Sequence, residues 1–170
     1  LESLEGDEMS SYEETGVLTL EYLKKVLPPE ERLEKGPVVI IECIEKIPCD
    51  PCAYVCKLGA IEKESLVDPP KVDYDKCTGC GECVAICPGL VIFVVNLKYK
   101  GDEALLMIPY EFLPTPKRGE IYEALNRKGE TVGEARIVAA REMEGRTTVL
   151  TLAVKRDLAM IVRNIGRKIR

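Results

Sequence analysis

Apolar positions along the chain fall into short runs, and the spacing within each run predicts an element. Residues 17–27 place Leu20, Leu23 and Leu27 one helical turn apart, and Pro28-Pro29 ends that helix. Val38 to Ile41 is an unbroken apolar stretch of strand length leading to Cys43, and Lys71 to Tyr74 is a second short strand leading to Cys77. After Cys87 the pattern changes to regular short strands: 90–99, 103–109, 120–126, 131–141 and 146–155. Turn signals separate them at Gly101-Asp102, Arg127 to Glu130 and near Glu144-Gly145. The last of these strands alternates cleanly, with Thr148, Leu150, Leu152 and Val154 on one face. Leu158, Ile161, Val162, Ile165 and Ile169 then fall on one helical stripe and predict a terminal helix over 157–169. Residues 1–15 are polar and acidic with little periodicity, and read as a loose arm.

This order of elements predicts an α+β protein in three parts. Residues 1–36 form an N-terminal arm with a short helix. Residues 37–95 form a compact cysteine-bearing module. Residues 96–170 form a β-rich domain, an antiparallel barrel-like or sandwich structure, closed by the terminal helix.

Composition narrows the chemistry. The chain has eight Cys, all between Cys43 and Cys87, and no His, which removes imidazole ligands, a His general base and a Ser-His-Asp triad together. No apolar run is long enough to span a membrane and no secretory pattern opens the chain, so the expected location is the cytoplasm. Thiols kept reduced there favour metal over disulfides. The absence of Gln and the abundance of Glu, Lys and Arg suggest a thermophilic source. Charge is uneven. Residues 1–36 carry 4 basic and 10 acidic groups, whereas residues 117–170 carry 13 basic and 7 acidic. Such asymmetry suggests oriented docking on a partner, or two ends that neutralise each other within the fold.

The cysteine spacing is the strongest signal. Cys77, Cys80, Cys83 and Cys87, followed by Pro88, form a C-x2-C-x2-C-x3-C-P run. Three thiols at steps of three in a tight loop suit three corners of one cubic cluster. Gly79 and Gly81 allow the positive φ angles such a loop requires. Upstream, Cys49, Cys52 and Cys56 repeat the x2, x3 spacing, preceded by Cys43. Aligning the halves also matches Ala60-Ile61 with Val91-Ile92. Two all-cysteine zinc sites would show pairs of cysteines separated by longer spans.

On these residues the stretch 37–95 resembles the two-cluster bacterial-type [4Fe-4S] ferredoxin family. The resemblance implies a ferredoxin-like dicluster fold with a pseudo-twofold axis. It also implies crossed ligation: Cys43, Cys49, Cys52 and Cys87 for one [4Fe-4S] cluster, and Cys77, Cys80, Cys83 and Cys56 for the other. Two departures stand out. Five residues separate Cys43 from Cys49 where the family has two, and Lys57 replaces the proline expected after Cys56. Lys57 near a cluster would raise its potential. Glu42, Glu45 and Asp50 suggest solvated acids or an acidic docking face, and Tyr54 suggests core packing or a ring on a cluster.

These features imply an electron-transfer subunit with no catalytic residue of its own. The motif around Glu42 to Cys56 and the long extensions are more loosely similar to ferredoxin-like subunits of flavin-dependent amino- or imino-acid dehydrogenases of the proline or sarcosine type. That similarity implies a flavin-containing partner subunit. The alternatives are a freely diffusing soluble ferredoxin and a cluster-stabilised structural or sensing module. No feature points to nucleic acid.

Overall fold

The computed structural model describes residue 12 and residues 14–143 and 147–170. From Leu20 onward the elements follow one another as α1 (Leu20–Leu23), α2 (Glu30–Leu33), β1 (Val38–Ile41), α3 (Pro51–Val55), β2 (Ile61–Glu62), β3 (Lys71–Val72), α4 (Glu82–Ile86), β4 (Ile92–Asn96), β5 (Glu103–Tyr110), β6 (Ile121–Leu125), β7 (Thr131–Glu142), β8 (Thr148–Lys155) and β9 (Asn164–Lys168). The chain is thus mixed α and β, dominated by one large antiparallel sheet. Most of the loose arm expected over residues 1–15, and the turn expected near Glu144-Gly145, lie outside the described residues.

Seven strands form that sheet in the order β1-β4-β5-β8-β7-β6-β9, and β2 and β3 make a separate two-stranded ribbon. The continuous apolar runs of β1 and β4 have a direct cause: both strands are buried on both faces. On one face Ile40, Phe93 and Val95 join a core with Leu106, Ile108, Ile137, Leu150, Leu152 and Ile165. On the other face Val39, Ile41, Ile92 and Val94 join Cys52, Cys83, Val84 and Ala85, which belong to the helices α3 and α4. The sheet therefore separates a β-lined core from the cysteine-bearing layer. Ile40 on its first strand and Ile165 on its last belong to the same buried cluster. The boundary expected at 95/96 falls inside β4, whose ladder with β5 pairs Val95 with Leu106 and Asn96 with Leu105. The cysteine module and the C-terminal extension share one sheet.

The alternation expected for 146–155 appears in β8, where Leu150, Leu152 and Val154 all face the β-lined core. The terminal helix does not form. Arg156–Leu158 is a single 3-10 turn, and Asn164–Lys168 is a strand that pairs with β6. The helical stripe was real as a spacing, but the sheet outweighs it. Without β9, β6 would present an unpaired edge, and Ile165, the one residue of the stripe inside β9, is β-branched and suits a strand. Gly166 lets the backbone of β9 lie close over Leu125 and Glu123. The helix expected over 17–27 shortens to α1, capped by Thr19, whose Oγ1 accepts the Tyr22 N–H at 3.2 Å, and followed by turns.

Candidate metal centre

The two cysteine runs lead into short helices that project from the same side of the sheet. In the second run Gly79 and Gly81 adopt φ of +66° and +87°. A Cβ on Gly79 would stand 2.7 Å from Pro37 Cβ, so glycine is required there by both conformation and space. Gly81 then caps α4, which carries Cys83 inward against the sheet. In the first run Pro51 opens α3 and Cys52 is buried against the same layer. The long loop between Cys43 and Cys49 leans on the segment that follows β2. Cys49 N–H donates to Leu66 O at 3.2 Å, and Lys63 Nζ donates to both Cys49 O and Leu66 O.

The eight thiols are gathered in two groups of four. Cys43, Cys49, Cys52 and Cys87 line one cavity of about 570 Å³, whose walls also include Ile41, Pro88, Val91 and Ile92. Cys56, Cys77, Cys80 and Cys83 line a second cavity of about 60 Å³, with Val39, Val55, Ala60, Ile61 and Val94. Each group takes three cysteines from one run and one from the other. Backbone N–H groups reach two sulfurs of the second group: Val39 N–H to Cys77 Sγ at 3.5 Å, and Ala60 N–H to Cys56 Sγ at 3.3 Å. Among the described residues, no three Cys, Asp or Glu side chains converge closely enough to hold a single metal ion. The thiols surround spaces instead of meeting at a point, and a four-thiolate donor set of that kind suits an iron–sulfur cluster.

Electrostatics agrees with that chemistry. Burial pushes the Cys43 and Cys52 thiols up from their ordinary value, with Cys87 and Cys49 adding to the effect. Burial, with a smaller contribution from the neighbouring Cys80, Cys77 and Cys56, pushes Cys83 up to about 12. Four thiolates cannot share such a site unless a cationic centre offsets their charge.

The residues flanking the ligands differ from several expectations. Glu42 is buried rather than solvated, and sits between Arg127 and Arg163. Tyr54 is 92% exposed, so it neither fills the core nor covers a cluster. Its place on the outer face of a one-turn helix leaves nothing for the ring to pack on. Lys57 is exposed, as are Asp50 and Glu45. The buried Arg163 and the half-buried Arg32, Lys63 and Arg127 are the cations that pack near the cysteines. Arg32 binds the loop carrying the second group, donating to Tyr74 O at 2.7 Å, Pro37 O at 3.0 Å and Cys77 O at 2.6 Å. Nothing in the local sequence marks Arg32, Lys63, Arg127 or Arg163, because only folding brings them to the cysteines.

Residues 70–93 match the 4Fe-4S binding domain family. The chain is 45% identical over 47 residues to the pyruvate synthase subunit PorD of Methanothermobacter marburgensis, covering 28% of this chain and 48% of that protein. It is 33% identical over 89 residues to a subunit of the selenate reductase of Mesobacillus selenatarsenatis, covering 51% of this chain and 29% of that one. It is 41% identical over 56 residues to a subunit of the ion-translocating oxidoreductase complex of Methanosarcina acetivorans, covering 32% and 20% respectively. The chain spans less than half the length of each of these curated relatives. No solved structure matches it significantly. The chain therefore carries a ferredoxin-type 4Fe-4S binding domain and is similar to subunits of a pyruvate synthase, a selenate reductase and an ion-translocating oxidoreductase complex. Among the described residues, no helix is long and apolar enough to cross a membrane.

Proposed function

We propose that this chain is the iron–sulfur electron-transfer subunit of a larger oxidoreductase, holding two [4Fe-4S] clusters. Cys43, Cys49, Cys52 and Cys87 hold the first cluster, and Cys77, Cys80, Cys83 and Cys56 the second. When bound, the clusters supply one-electron transfer. The protein's own groups do the rest. The thiolates fix the clusters, the apolar layer of Val39, Ile41, Ile92 and Val94 excludes water, and backbone N–H groups donate to ligand sulfurs. The observation that carries the reading is the division of eight thiols into two groups of four, each mixing the two runs.

Residues 1–36 act as an arm, 37–95 as the dicluster module, and 96–170 as an extension that braces the module. The looser similarity in the region Glu42 to Cys56 favours a flavin-containing dehydrogenase subunit as electron donor, with an acceptor beyond the second cluster, in the reducing cytoplasm. The test is iron and acid-labile sulfide analysis of anaerobically purified protein, followed by reversible redox titration. Two clusters require about eight irons and eight sulfides per chain, with both clusters cycling and no bound flavin. Iron near one cluster's worth, stoichiometric zinc, or clusters that do not cycle would falsify the reading.

A further inference from the structure

Glu42 immediately precedes Cys43, and its carboxylate is held by two arginines. Arg127 Nε donates to its Oε2 at 2.9 Å, Arg163 Nε donates to its Oε1 at 2.8 Å, and Arg127 Nη2 donates to Oε1 as well. Arg127 comes from the turn between β6 and β7, and Arg163 from the residue before β9. Arg127 Nη1 donates to Met160 O at 3.1 Å, and Arg163 Nη1 donates to Ala159 O at 3.2 Å. The Arg163 guanidinium lies 4.7 Å from the Phe93 ring centroid. Both Glu42 and Arg163 are 7% exposed, and Arg163 Nη2 is buried without a hydrogen-bond partner.

One carboxylate against two guanidiniums leaves one excess positive charge away from water. As a structural ion pair the arrangement is over-supplied, since Arg127 alone meets both carboxylate oxygens. Burying a second cation with a donor left unpaired costs stability. The same cavity shows what the excess charge can serve. Glu42, Arg127 and Arg163 line it together with Cys43, Cys49, Cys52 and Cys87. The other charged residues lining it, Lys63 and Glu45, balance each other. In the second cavity the charged residues are Lys57 and Glu82, of opposite sign and both exposed, so water screens them.

We propose that the Arg127–Glu42–Arg163 triad raises the midpoint potential of the cluster held by Cys43, Cys49, Cys52 and Cys87, and leaves the other cluster unaffected. The inference rests on the two-cluster reading above. Reduction adds one electron, and hence one negative charge, to that cavity. A fixed excess cation in a low-dielectric site stabilises the reduced form relative to the oxidised one. The three residues are positioning residues, since they act on the cluster through the field and not by ligating it.

The test is a potentiometric titration of the full-length, anaerobically purified chain, followed by EPR. The wave of the first cluster is assigned by its loss in Cys49→Ser. Arg163→Met removes the excess charge and should lower that cluster's potential. Glu42→Gln increases the excess and should raise it. The double variant restores a net charge of one and should return toward the parent value, and Arg163→Lys should stay near it. The other wave should not move. Simple loosening of the fold admits water in both single variants and shifts both in the same direction. Shifts of the same sign, no shift, or a shift confined to the second cluster's wave overturn the proposal. If Arg163→Met cannot hold its clusters, Arg127→Met carries the same sign test. Iron and sulfide counts on every sample separate the two claims. A parent protein short of two clusters fails the underlying reading, whereas two intact clusters with unmoved potentials fail this one alone.

Discussion

Among single residues, the site depends on a few positions where backbone and side chain leave no choice. Gly79 is the clearest. Its φ of +66° lies in the left-handed region, and any Cβ there would run into Pro37, at the entry to β1. Gly79→Ala should destabilise the loop by about 2–4 kcal/mol, combining left-handed strain with overpacking. Because the loop carries Cys77 and Cys80, the loss should fall on the second cluster first. Iron content dropping toward half, with a lower melting temperature, is the expected result, and full iron content at an unchanged melting temperature contradicts it. The glycines of this loop were legible in the sequence because the cysteine spacing demands a tight turn. Glu42 was not. Its neighbours in sequence say only that it is an acid beside a ligand. What determines its burial is Arg127 and Arg163, 85 and 121 residues away.

For whole elements, local patterning was a good guide wherever a strand faces two different environments. The unbroken apolar runs of β1 and β4 reported their burial on both faces, and the alternation of β8 reported which residues face the β-lined core, although Val149 and Ala153 on its other face are buried too. The guide failed at β9, where residues spaced for a helix were recruited to finish a sheet. Period alone cannot separate the two when five apolar residues lie within about three turns and the deciding contact is a strand edge formed some 40 residues earlier. Of the two roles its charge suggests, the ion pairs of the basic tail follow the one internal to the fold. Arg167 Nη2 meets Glu123 Oε1 at 3.0 Å, Lys168 Nζ meets Glu120 Oε1 at 2.6 Å, and Arg170 lies 3.5 Å from Glu134. These three cations are paired within the extension itself, whereas Arg163 pairs with Glu42 of the cysteine module and Arg156 with Glu34 of the arm. Deleting residues 157–170 should therefore unfold the β-lined core. It removes the buried Ala159, Val162 and Ile165, worth about 1.5–3 kcal/mol for each larger side chain, and leaves Glu42 with half its partners. Aggregation or a sharply lower melting temperature is the expected outcome. A truncated chain that stays monomeric with unchanged melting, and loses only a partner, contradicts it.

Across the whole molecule, the architecture joins a ferredoxin-type module to an extension without a seam. β1 and β4 are strands of the cysteine module and also two of the seven strands of the sheet. The layer of helices and thiols packs on one face and the extension's core on the other. This explains why the two cysteine runs were legible in their spacing while the relation of module to tail was not. Ligand spacing is a local property of the chain, whereas a shared sheet is decided by the pairing of β4 with β5 and of β5 with β8. It also lets the extension line the first cavity, through Arg127 and Arg163. The proposed function stands or falls on each run of cysteines lending its last member to the other run's cluster. The decisive measurement is EPR of the dithionite-reduced protein carrying single Cys→Ser substitutions. With crossed ligation, Cys87→Ser alters the same signal as Cys43→Ser and leaves intact the one altered by Cys77→Ser. If Cys87→Ser and Cys77→Ser alter the same signal, the crossed arrangement is wrong.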